Sequence, residues 1–198
     1  MPSGWGGTAV NAGNLRAGDT AVIYGIGGLG INAVQGAVSA GCKYVVVVDP
    51  VALKRETALK FGATHAFADA ESAAAKVNEL TWGTGCRRCA HPCRHRRRGR
   101  GQCSDGSDRQ GWHRGDHGTR RPPAKLTVHV SGTDLTLNQK TIKGTLFGSM
   151  NPQYDIVRLL RLYDAGQLKL DELITNTYSL EDVNKATRIY VTARTSVA

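Results

Sequence analysis

The order strand, glycine turn, helix, strand between Thr20 and Asp49 restricts this chain more than any other stretch. TAVIYG is a short β-branched run that stops at a glycine, and GIGGLGINAVQGAVSAG predicts a mostly apolar helix ended by Gly41. YVVVVD is a continuous apolar run of the kind buried on both faces of a parallel sheet. Gly25, Gly27, Gly28 and Gly30 sit where the first strand hands over to the helix, the context in which G-x-G-x-x-G serves a dinucleotide. The turn must be tight, its backbone must approach a pyrophosphate, and the helix N-terminus then offers unpaired N–H groups to the phosphates. Asp49 ends the second strand nineteen positions after Gly30, near the spacing of a carboxylate that accepts hydrogen bonds from the adenosine ribose. Its charge would repel a 2′-phosphate, which favours NAD over NADP. Lys54, at the start of the next helix, is placed to close over the adenosine side. The plain alternative is a glycine-rich surface turn with an unrelated aspartate. The coincidence of strand, turn, helix, second strand and Asp49 argues for the nucleotide.

The pattern continues in both directions. PVALKRETALKFGATHAFA predicts a helix with Pro50 in its first turn and Gly62 at its end, then a short strand around His65–Ala68, and ESAAAKVNEL a further amphipathic helix. Beyond Pro123, KLTVHV is extended, QKTIKGTLFGS is a strand with a polar approach, and QYDIVRLLRLYDAGQ is an amphipathic helix carrying Ile156, Leu159, Leu160 and Tyr163. LDELITNTYSLEDVN reads as a short connector and the start of a last helix.

Charge divides the chain unevenly. Eleven arginines against three aspartates between Cys86 and Pro123 put +8 of the net +10 into one segment, which has no Val, Ile, Leu, Phe, Met or Tyr. Four of the five cysteines and four of the six histidines lie there too. Cys86, Cys89, Cys93 and Cys103, with His91 and His95, allow a zinc-knuckle reading beside RNA-binding arginines, but no apolar residue is present to form a small core around a metal. The rest of the chain shows no targeting signal, and its longest apolar run, YVVVV, is strand-sized, so the expectation is a cytoplasmic protein without membrane or nucleic-acid partner. Cys42 is expected to be a packed thiol, and His65 and His129 to be strand-end residues.

Taken with SGWGGTAV, ALKFGATHAFA, KTIKGTLFGS and DELITNTYSLEDVN, the glycine turn closely resembles the cofactor-binding half of zinc-type alcohol dehydrogenases of the medium-chain family. The actinobacterial subgroup that accepts nitroso-dimethylaniline as electron acceptor is the most similar. The resemblance covers residues 3–85 and 124–184. It implies that Gly25, Gly27, Gly28 and Gly30 contact pyrophosphate, Asp49 the ribose and Lys54 its neighbourhood, with the backbone around Phe147 beside the nicotinamide carboxamide. It also implies NAD as cofactor, an alcohol or aldehyde as substrate, zinc as Lewis acid, and a homo-oligomeric parent enzyme whose strands near KGTLFGS pair across a dimer. The family's zinc ligands precede the GWG stretch, so the expectation for this chain is no metal ligands, no catalytic residues and no dehydrogenase activity. Its rivals are a metal-dependent basic nucleic-acid-binding module and an NAD-binding pseudo-enzyme.

The genetic code offers a reading of the arginine block. GWHRGDHG, residues 111–118, becomes GGTVVIT when its codons are chosen among synonyms and one base is dropped. CRRCAH slides in the same way to ADAA followed by His or Gln, and the tail KATRIYVTARTSVA slides to QGYQDLRDGKNIRG. Each restores an element the family places there. The expected fold is therefore α/β, a Rossmann-type doubly wound parallel sheet, incomplete because its fourth and fifth strands are replaced by residues 86–123. Residues 1–85 form the first half of the cofactor domain, 86–123 an aberrant segment, 124–184 the remaining elements and 185–198 an aberrant tail. Losing a neighbour of the first strand would remove one wall of the nicotinamide site and leave NAD binding weak or absent. Resequencing the coding DNA through the codons for Gly85, Pro123 and Asn184 should find a missing or extra base at these points; an intact frame there would overturn the sequencing slip and leave a decayed gene.

Overall fold

The computed structural model describes residues 1–7, 11–86, 88–93, 112–116, 132–137, 139, 141–185 and 187–188. A six-stranded parallel sheet organises them. It comprises β1 (Thr20–Tyr24), β2 (Tyr44–Val48), β3 (His65–Phe67), β4 (Arg88–Cys93), β5 (Trp112–Asp116) and β6 (Ile142–Gly144), in the order β3-β2-β1-β4-β5-β6. Helices α1 (Pro2–Trp5), α2 (Gly28–Ser39), α3 (Ala52–Lys60), α4 (Ala70–Leu80), α5 (Gly132–Leu137) and α6 (Pro152–Asp164) accompany it among the described residues, with a 3-10 turn at Phe147–Ser149 and another at Asp171–Leu173.

The valine run explains the two-faced core. Successive strand residues point to opposite faces, so Ala21, Ile23, Val45 and Val47 pack with Ile31, Val34 and Ala37 of α2 and with Ala58 and Phe61, whereas Val22, Val46 and Val48 pack with Ala73 and Val77 of α4. Val46 and Val47 are fully buried, one on each face. A parallel sheet covered on both sides is the doubly wound class that the sequence pattern implies.

The strand order runs through the segment where an interruption was expected. β1 pairs in parallel with β4 from Ala21↔Arg88 to Ile23↔Ala90, and β4 pairs with β5 from Cys89↔Trp112 to Cys93↔Asp116. The correction has a physical reason. A parallel ladder is made of main-chain N–H and C=O groups, which an arginine-rich segment supplies as an aliphatic one does. Pro92, which has no N–H, lies beyond Ala90, the last β4 residue paired with β1. Two smaller readings are also corrected, and a third is untested. Pro50 precedes α3 instead of opening it, because Asp49 Oδ1 accepts from Val51 N–H (2.9 Å) and holds the chain extended at Val51. The QKTIKGTLFGS strand is confined to Ile142–Gly144, and KLTVHV lies outside the described residues.

Local sequence also sets the helix ends. Asp69 caps α4 by accepting from Ser72 N–H, and that hydrogen bond holds its carboxyl below the usual range. Asn151 caps α6 by accepting from Gln153 N–H while Asp155 Oδ2 accepts from Asn151 N–H (2.7 Å), with Pro152 opening the helix. Trp5 is buried with Met150, Leu159 and Leu168, so the N-terminal turn and α6 share a third small core. Val47→Ala, which removes two methyl groups from the closed α2 face, should lower unfolding free energy by about 2 kcal/mol in urea titration.

Candidate functional site

The carboxyl ends of β1 and β2 meet at the glycine turn. Gly25 leaves β1 with φ 86°, a conformation that favours glycine, and its N–H donates to Val48 O (2.8 Å), so the turn starts already tied to β2. Gly30 is required by close approach, since a Cβ there would collide with the Gly25 carbonyl. Gly27 caps α2, and a Cβ on Gly27 or Gly28 would meet no atom within 4 Å. These two glycines leave bare backbone at the mouth of α2. The first helical bond runs from Ile31 N–H to Gly27 O (2.9 Å), so the N–H groups before it have no carbonyl of the helix to donate to.

Asp49 closes the other side. It is only 4% exposed, and its two oxygens are divided between two backbone donors: Ile26 N–H to Oδ2 (2.8 Å) and Val51 N–H to Oδ1 (2.9 Å). Lys54 Nζ stands 4.0 Å from Oδ2 and is about one-third exposed. Arg55 donates from one guanidinium nitrogen to Asp49 O and Pro50 O, both at 2.8 Å, which pins the corner after β2. The structure thus brings Gly25, Gly27, Gly28, Gly30, Asp49 and Lys54 to one end of β1 and β2. Phe147 lies apart from them, past the carboxyl end of β6, with φ 49° and its side chain largely exposed.

The fit to a dinucleotide rests on this geometry. Bare backbone at Gly27 and Gly28 suits a pyrophosphate, and the lone pairs that Asp49 keeps after serving two N–H donors suit ribose hydroxyls. Sequence reasoning missed that Asp49 also holds the turn itself, and it missed Arg55. The Asp49–Ile26 contact joins residues on two different strand ends, so neither periodicity nor spacing carries it.

No three His, Cys, Asp or Glu side chains converge to hold a metal ion among the described residues, so a zinc finds no ligand set in them. Cys103 and His95 lie outside the described residues, while β4 runs through the positions of Cys89 and Cys93. Cys42 packs against the α2-side core, and burial, followed by the Asp19 carboxylate, pushes its thiol up to about 11. At that value the thiol is protonated at neutral pH. His65 opens β3, where its ring shares a hydrogen bond with Thr64 Oγ1 and stands edge-on to Tyr44. His129 lies outside the described residues. Among the described residues no helix is long and apolar enough to cross a membrane.

Comparison with known proteins agrees with this architecture. Residues 28–89 match the zinc-binding dehydrogenase family. Along 93% of its length the chain is 70% identical to the protein named alcohol dehydrogenase D of Mycobacterium tuberculosis, and it is 56% identical over the same share to the NDMA-dependent alcohol dehydrogenase of Amycolatopsis methanolica. It spans about half the length of both, 50% and 49%. Among solved structures, an alcohol dehydrogenase zinc-binding domain protein from Burkholderia ambifaria superposes with a TM-score of 0.78 at 24% identity, over 97% of this chain and 50% of that one. The benzyl alcohol dehydrogenase of Acinetobacter calcoaceticus gives 0.76 at 23% identity, over 96% and 51%. Both share the fold. The chain is a Rossmann-type relative of the zinc-binding dehydrogenases. Within them its similarity extends to proteins named alcohol dehydrogenases, NDMA-dependent ones included.

Asp49→Ala should destabilise the protein by about 2 kcal/mol even without nucleotide, because the buried Ile26 N–H and the partly buried Val51 N–H lose their acceptor. Thermal unfolding of the ligand-free variant checks this; an unchanged Tm would show that the carboxylate does not hold the turn.

Proposed function

We propose that this chain is the cofactor-binding half of an NAD-dependent alcohol dehydrogenase and that it holds the ADP portion of NAD between the glycine turn and Asp49. The observation that carries the reading is the direct tie between the two halves of the site, Ile26 N–H to the Asp49 carboxylate, which presents bare backbone and a ribose acceptor in one fixed arrangement. Backbone N–H groups at the start of α2 take the pyrophosphate, and the positive end of the helix dipole favours its charge. Asp49 accepts from the adenosine ribose, and Lys54 closes over the same side. The carboxylate sits where a 2′-phosphate would bring like charge, so NAD is preferred to NADP. NAD held there would supply the hydride acceptor for oxidation of a primary alcohol in the parent enzyme, the hydroxyl proton leaving separately as the aldehyde forms.

The chain itself is proposed to turn over no alcohol. β4 and β5 border the reacting end of the crevice, and their sequences, RCAHPC and WHRGD, carry none of the branched aliphatic residues that line β1 and β2. β5 also falls within the residues whose slid reading is GGTVVIT, which supports residues 86–123 as an out-of-frame passage through a strand position.

Because β4 pairs with β1 where the sequence led us to expect a lost neighbour and weak or absent NAD binding, millimolar NAD should raise the Tm by a few degrees, as about 1.4 kcal/mol of linkage at tenfold over Kd requires, and NADP should raise it less. Gly27→Ala should fold with nearly unchanged Tm, because its Cβ meets open space, and should lose the NAD shift. An NAD shift that survives in this variant would remove the glycine turn from the site.

A further inference from the structure

Two polar side chains, Asn32 and Gln35, are buried in α2, and they are joined into one ladder. Its far end is fixed by backbone. Gln35 Oε1 accepts from Lys169 N–H (2.8 Å) and Gln35 Nε2 donates to Lys169 O (3.2 Å). Main-chain groups cannot exchange their donor and acceptor roles, so Lys169 settles which end of the Gln35 amide is which. The same Nε2 reaches Asn32 Oδ1 at 3.5 Å, which turns the Asn32 Nδ2 group toward the mouth of the helix. There it donates to Gly28 O at 2.6 Å. A carbonyl only accepts, so both ends of the ladder require the same orientation of the Asn32 amide. The N-terminal turn covers this side chain: a Cβ on Gly4 would stand 2.8 Å from Asn32 Cβ and would collide with Leu29 O. Asparagine is a poor former of helix interiors, and a side-chain bond back to the carbonyl four residues earlier does nothing for the helix itself. The ladder has a use at the helix mouth instead.

Gly28 O and Leu29 N–H belong to one rigid peptide plane. Leu29 N–H comes before the first helical bond, Ile31 N–H to Gly27 O, and is among the donors left over for a pyrophosphate. A donor on the carbonyl polarises the plane and makes the N–H of the same peptide a stronger donor. We infer that Asn32 is a positioning residue for the pyrophosphate of the cofactor: its amide fixes and polarises the Gly28–Leu29 peptide, whose N–H serves the phosphates, and Gln35 with the Lys169 backbone holds that amide in place. The inference rests on the proposed NAD site. The adenosine corner hangs on other bonds, Ile26 N–H and Val51 N–H to Asp49, so a change at Asn32 is felt by the phosphates and not by the nucleoside.

ADP and adenosine separate the two ends on the full chain, ADP followed by calorimetry and adenosine by NMR chemical-shift titration. Asn32→Ala should fold, because alanine is the better helix former and Gln35 keeps both of its bonds to Lys169. It should weaken ADP about threefold and leave adenosine unchanged. Asn32→Ser keeps a hydroxyl that can donate to the carbonyl four residues earlier, so its ADP affinity should return close to the unsubstituted value. In the unsubstituted chain ADP should move the Leu29 amide proton downfield, a readout that does not depend on either variant folding. An ADP affinity that is unchanged in Asn32→Ala, or as low in Asn32→Ser as in Asn32→Ala, overturns the inference and leaves the NAD reading standing. So does a Leu29 amide proton that ADP does not move, or a loss of adenosine in step with ADP. An unsubstituted chain that binds no ADP overturns the NAD reading and the inference with it.

Discussion

A single buried carboxylate governs the functional end of this molecule. Asp49 receives the Ile26 N–H from the glycine turn and the Val51 N–H from the corner after β2, so two loops that belong to different strands share one acceptor. Charge-assisted bonds of this kind are roughly twice as strong as neutral ones, and burial shields them from competing water. The mouth of α2, the turn at Gly25 and the first residues of α3 are placed relative to one another through this side chain. A residue whose spacing suggests ligand recognition therefore also carries structural weight. At the proposed NAD site recognition and stability fall on one side chain, and exchanging Asp49 would loosen the glycine turn.

The sheet behind that site separates two kinds of information. β1 and β2 owe their place to side chains, because alternate valines and isoleucines reach helices on opposite faces. β4 and β5 are joined to them through main-chain pairing in segments with no branched aliphatic residue. Strand order is preserved across the boundary while the chemistry of the residues changes completely.

This contrast explains what was legible in the sequence. The βαβ unit was readable because glycine spacing, the valine run and Asp49 are local and agree with one another, and helices α2, α4 and α6 were readable from their apolar periodicity and terminal signals. The strands at 88–93 and 112–116 were not, since hydrophobic pattern is blind to a pairing that uses backbone alone. The start of α3 was misread for a related reason: the turn closed by Asp49 outweighs the helix-opening preference of Pro50. In the candidate site, glycines and acid were visible as residue types. Their mutual hydrogen bond and the anchoring of Arg55 on carbonyl oxygens were not, because these are tertiary contacts without a sequence period.

The contacts that hold α2 reach beyond the site. Gln35, buried in this helix, takes Lys169 N–H on its Oε1 (2.8 Å) and returns its own amide to Lys169 O (3.2 Å), a contact 134 residues apart in sequence. Gly4 presses on the first turn of the same helix from the opposite end of the chain. Contacts of such separation form slowly, because a long loop must close before they can reward it. During synthesis the helix that opens the candidate site is therefore made early and finished late. It waits for residue 169 to leave the ribosome before its packing is complete.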